Sequence, residues 1–109
     1  MEMSKETEQN INQLQLYEQS LQNLLIQKQH FQSQLIEIDS ALSELEKSQD
    51  SYKIINNIMV SASKEELKDD LKTKKETYDI RVKALEKQER AIKEKAEKLQ
   101  STVMESMKK

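Results

Sequence analysis

Tyr52-Lys53-Ile54-Ile55-Asn56-Asn57-Ile58-Met59-Val60 lies at the midpoint of a 109-residue chain, and two long heptad patterns stop on either side of it. β-branched and aromatic residues cluster here, which suits a pleated strand better than a helix. Two runs flank Asn56-Asn57. Asparagine tolerates the positive φ that a two-residue type I′ turn requires, although Asn-Gly is the stronger signal. The segment therefore reads as a β-hairpin over residues 52–60. The competing reading, one helix running straight through, must place four β-branched residues in nine inside a helix.

On the N-terminal side a helix is expected over about residues 4–48. With Leu14 as heptad position a, the a row is Leu14, Leu21, Lys28, Leu35 and Leu42. The d row is Tyr17, Leu24, Phe31, Ile38 and Leu45. Nine of these ten are apolar or aromatic, a spacing of 3.5 residues that keeps one stripe facing a partner helix. On the C-terminal side a second helix is expected over about 64–107. Its d row is Leu71, Tyr78, Leu85, Ile92 and Leu99, and its a row is Lys75, Val82, Glu89, Ala96 and Val103. Ser63 with Glu66 three residues later forms a capping-box signal for its start. The remaining Lys and Glu read as a solvated face.

Each arm of about 44 residues spans about 66 Å as α-helix. Equal arms suit a chain that folds back on itself. If paired residues have numbers summing to 113, symmetric about Asn56 and Asn57, Leu14 meets Leu99, Leu21 meets Ile92, Leu35 meets Tyr78 and Leu42 meets Leu71. A register shifted by one heptad fits the same pattern, because the linkers into the strands differ in length. Lys28 and Glu89 interrupt the two rows about one turn apart and are expected to pair across the seam. Taken alone, Lys28→Leu is expected to raise thermal stability and to loosen the assembly state.

Composition agrees with a helical rod. The chain has no Gly and no Pro, so it has few turns to make. Hydrophobic residues are 35%, enough for a stripe and too few for a thick core. The net charge of -2 lacks the imbalance typical of disorder, and the basic face typical of nucleic-acid binders. No Cys is available for disulfides or thiolate ligands. No apolar run reaches the roughly 18–20 residues that span a bilayer, and the opening Met1-Glu2-Met3-Ser4-Lys5-Glu6 lacks a signal-peptide plan. The chain is expected to be intracellular and soluble, with no membrane and no nucleic acid among its partners.

A two-stranded hairpin alone is marginal in water, and this one carries Ile54, Ile55, Ile58, Met59 and Val60 with both edges open. Association of several copies into a closed sheet or barrel is the expected remedy. At the free ends lie Met3, Ile11, Leu14 and Leu16 on one arm, and Leu99, Val103, Met104 and Met107 on the other. Ile11, Leu16, Met104 and Met107 fall outside the a and d rows and widen the apolar surface there. Met and Leu make an adaptable surface of this kind. Scattered surface apolars are the plainer reading of the same residues.

The block Tyr52 to Val60, followed by Lys64-Glu65-Glu66-Leu67 and Leu85-Glu86-Lys87-Gln88-Glu89, resembles the β-type subunits of the prefoldin family, as does Gln27-Lys28-Gln29. The departure is Asn56, where the family commonly has Gly. The resemblance covers nearly the whole chain and implies a single prefoldin-like domain over residues 1–109. One hairpin and a short chain look like the β type. The fold implied is mainly α: a long antiparallel two-helix coiled coil with one central β-hairpin that contributes to an intersubunit β-barrel. It implies four such chains with two α subunits in a hexamer, whose coiled-coil tips hold unfolded client proteins without ATP and pass them to a group II chaperonin. By that resemblance Tyr52, Ile54, Ile55, Asn56, Asn57, Ile58, Met59 and Val60 form the assembly site. Met3, Ile11, Leu14, Leu16, Leu99, Val103, Met104 and Met107 form the client site. The location implied is cytoplasmic, and the Lys/Glu-rich second arm looks archaeal.

An enzyme is disfavoured by inventory: one histidine, His30, at heptad position c, with no Cys and no Gly-rich phosphate loop to complete a site. No catalytic residue, metal or cofactor is expected. A structural coiled-coil tether or scaffold is the alternative function. It accounts for both arms and leaves the β-branched block without a purpose.

Overall fold

The computed structural model describes residues 4–108. Its elements are helix α1 (Lys5–Lys47), strand β1 (Tyr52–Ile55), strand β2 (Ile58–Ser61) and helix α2 (Lys64–Lys108). Ser4 caps α1: its Oγ accepts a hydrogen bond from the Thr7 amide at 3.1 Å, and the two hydroxyls are 2.9 Å apart. Glu6 and Glu8 in the first turn and Lys47 in the last complement the helix dipole.

The strands pair antiparallel, Tyr52 with Ser61 through Ile55 with Ile58, so every pair sums to 113 as expected. Asn56 and Asn57 form the turn at φ of 49° and 68°, the positive region that a type I′ hairpin demands of both central residues. One further rung closes the base. The Ala62 amide donates to the Ser51 carbonyl at 3.0 Å, and the Ser51 hydroxyl donates to the Ala62 carbonyl at 2.6 Å. Ser63 then caps α2, accepting from the Glu66 amide at 3.1 Å. The Glu66 carboxylate does not complete a capping box. It is drawn to the hairpin, where its Oε1 accepts from Lys53 Nζ at 3.1 Å.

The chain packs as two units. Residues 29–82 carry the hairpin with the helix segments next to it, and residues 4–28 with 83–108 carry the free ends. Within the hairpin unit, Lys75 donates to Asp39 at 2.8 Å and Lys68 lies 3.6 Å from Glu46. Later positions on α1 meet earlier ones on α2, so these segments run antiparallel. Both pairs sum to 114, one away from the expected register, whereas a heptad slip moves the sum by seven.

All twenty a and d positions assigned from the heptads are buried or half-buried. The best covered apolar ones are Ile38 and Val82 in the hairpin unit, and Leu24, Leu85 and Val103 in the other, and Glu89 is covered as well as they are. No large side chain among the described residues is completely enclosed. That is the expected consequence of two helices packing with nothing on their outer faces, where each seam residue is covered from one side only.

Candidate functional site: the hairpin and the helix ends

Paired residues of an antiparallel ladder share a face, and faces alternate along a strand. One face of the hairpin therefore carries Tyr52, Ile54, Met59 and Ser61, and the other carries Lys53, Ile55, Ile58 and Val60. Ile54 and Met59 are 70% and 67% exposed on the first face, and Ile58 is 65% exposed on the second. Both faces are thus apolar and open to solvent. The sheet has two strands among the described residues, so the outer edge of each is unpaired. The one charge on the ladder, Lys53, is tied to Glu66. Asn56 and Asn57, in the turn, are exposed.

The first face opens onto a groove that the sequence patterns did not mark. Tyr52 and Ile54 line it with Ala41, Leu45, Leu67 and Leu71, and Glu44, Asp50, Asp70 and Lys74 stand around them. Leu67 lies outside the assigned heptad rows. Its position four residues after the Ser63 cap was the available signal that it faces inward.

At the free ends the residues assigned from sequence divide. Val103 is buried, and Ile11, Leu14 and Leu99 are half-buried. Leu16, Met104 and Met107 are exposed, at 54%, 54% and 61%. Met3 lies outside the described residues. Thr7, not assigned from sequence, is buried, and Asn10 is half-buried. Both continue the a and d rows by one heptad, with polar residues that apolar patterning does not register.

The remaining inventory carries little chemistry. His30 is exposed and packs edge-on against Phe31, with ring centroids 5.7 Å apart. Among the described residues no group of His, Cys, Asp or Glu has the spacing of a metal site, and no helix is long and apolar enough to cross a membrane.

The family model for prefoldin subunits matches residues 8–109. The chain belongs to the prefoldin family. It is 37% identical to the prefoldin β subunit of Pyrococcus furiosus over 100 residues, covering 89% of this chain and 86% of that one. It is 39% identical to the prefoldin β subunit of Archaeoglobus fulgidus over 88 residues, covering 78% and 76%. The crystal structure of the prefoldin β subunit from Thermococcus strain KS-1 superposes with a TM-score of 0.90 at 31% identity, covering 96% of this chain and 95% of that one. Two long helices joined through a central antiparallel hairpin are thus the prefoldin β architecture. Membership implies a co-chaperone role as one subunit of a hetero-oligomeric prefoldin.

Proposed function

We propose that this chain is the β-type subunit of a hexamer of four β and two α subunits. That hexamer captures unfolded polypeptides at its coiled-coil tips without ATP and delivers them to a group II chaperonin in the cytoplasm. The observation that carries the reading is the hairpin, with apolar side chains exposed on both faces and both edges unpaired. Such a hairpin gains by adding strands from other subunits, and closing the sheet into a barrel removes its edges. A tether or scaffold does not require it.

Client capture falls to the apolar side chains that remain exposed beside the covered seam at the free ends: Leu16, Met104 and Met107. Val103 is covered within the chain and acts by shaping that end rather than by touching a client. The reading has no catalytic step and needs no metal or cofactor. Replacing Leu16, Met104 and Met107 together with Ser in the assembled complex tests it. Suppression of aggregation of a chemically unfolded client should fall several-fold while the hexamer mass stays unchanged. Undiminished suppression by an intact hexamer would remove the client site from these residues.

A further inference from the structure

Lys28 and Glu89 stand at a positions with apolar residues one heptad to either side, and Lys28 Nζ lies 2.7 Å from Glu89 Oε1. Their side chains are 19% and 10% exposed. The other ion pairs among the described residues each have at least one partner far more open: Lys53 with Glu66, Lys68 with Glu46, and Lys75 with Asp39. A covered ion pair is a poor device for stability, because removing two charges from water offsets most of their attraction. Apolar residues of similar volume do as well or better. The position of this pair suits another purpose.

We propose that Lys28 and Glu89 are a register key of the arm, opposing the heptad slip of α1 along α2 that would draw the two charges apart and that the apolar seam alone accepts. A heptad slip keeps a and d positions facing each other, so the apolar rows discriminate weakly against it. The key discriminates between the two directions of slip. The heptad neighbours of Glu89 on α2 are Val82 and Ala96, and those of Lys28 on α1 are Leu21 and Leu35. The numbers of the pair sum to 117, three or four residues off the register. A slip that lowers the register sum by seven therefore separates the two charges by ten or eleven residues and leaves each unpaired in the seam, whereas the opposite slip keeps them about one turn apart. The hairpin is joined directly to α2 through the Ser51–Ala62 rung and the Ser63 cap, so the connection that can give way in a slip is residues 48–50, between α1 and that rung. The same key opposes pairing between copies. Parallel α1 helices in register would set Lys28 against Lys28, and parallel α2 helices would set Glu89 against Glu89.

The chain has no native Cys, so nitroxide labels at Gln13→Cys and Lys83→Cys, both exposed positions, read the alignment directly as a distance distribution. Labelled chain is diluted in unlabelled chain so that only distances within one chain count. The native sequence and the charge swap Lys28→Glu/Glu89→Lys should each give one narrow distance. Lys28→Leu/Glu89→Leu should melt at an equal or higher temperature and yet show a second population shortened by about 10 Å, the rise of seven helical residues. A single narrow distance in the double-Leu variant would overturn the proposal. So would loss of its helical signal, which would make the pair a stability element.

Discussion

The ring of Phe31 lies 5.5 Å from that of Tyr78, tilted by 41°, and binds the two helices at the first turn of the hairpin unit. The Arg81 guanidinium sits 6.0 Å from the Phe31 centroid, at the limit of a cation–π contact, and His30 meets the edge of the same ring. Phe31 is half-buried, so truncation loses only part of a core phenylalanine's worth. Phe31→Ala should cost about 2 kcal/mol, below the roughly 3–5 kcal/mol of a fully enclosed ring. Urea unfolding followed by helical circular dichroism measures it, and a cost under about 0.5 kcal/mol would mean that the seam does not depend on this contact.

Lys28→Leu alone should destabilise. The sequence taken by itself suggests the opposite, because an apolar residue at an a position normally strengthens a seam. The geometry reverses that expectation: Glu89 is 8% exposed and bonded to Lys28, so removing the lysine leaves a covered carboxylate without its counter-charge. The expected loss is about 2 kcal/mol in thermal or urea unfolding at neutral pH, given the residual exposure of the pair. A rise in melting temperature would show that water solvates Glu89 well enough without a partner.

The turn offers a test in both directions. Asn56 and Asn57 hold positive φ, which any residue with a Cβ adopts at a cost and glycine adopts freely. Asn56→Gly should leave the hairpin equally stable or improve it by up to about 0.5 kcal/mol. Asn57→Ala should cost about 1 kcal/mol, because alanine lacks the local hydrogen bonding that eases asparagine into this region. Amide hydrogen exchange of Ile55 and Ile58 reports on the turn without interference from the helices.

Lys75 donates to Asp39, and that hydrogen bond, followed by the carboxylate's charge, raises its pKa above the ordinary 10.5. A raised lysine contributes stability that is fully present below the unfolded value and is lost as pH climbs through the folded one. The alkaline limb of the stability profile should therefore begin above about pH 10.5. Asp39→Asn should return the Lys75 titration, followed by NMR of its ε-methylene carbon, to the ordinary value. The pair is exposed, so the melting temperature at neutral pH should change little.

The architecture was legible because two periodicities collide at one place. Heptads placed all twenty seam residues on the covered side, and β-branched residues around Asn56-Asn57 placed both strands. Ser61 escaped the strand assignment because serine has no strand preference of its own. Its pairing follows from Tyr52 once the turn sets the register. The client surface was less legible. Hydropathy marks Val103 and Met104 alike, and the heptad separates them, with Val103 in the buried a row and Met104 outside it and exposed, but it does not say which exposed apolar residues meet a client. The polar seam residues Thr7 and Asn10 were hidden for the complementary reason, since their side chains carry no apolar signal.

Native mass spectrometry of the chain, alone and mixed with a candidate α subunit, is the measurement closest to the central claim that the hairpin drives assembly. The account predicts a complex of four copies with two α subunits for the native sequence. It predicts loss of that complex, with the helices retained, when Ile54 and Ile58 are both replaced by Asp. A native chain that remains a lone monomer beside the α subunit, or an Ile54→Asp/Ile58→Asp variant that still forms the full hexamer, would contradict it.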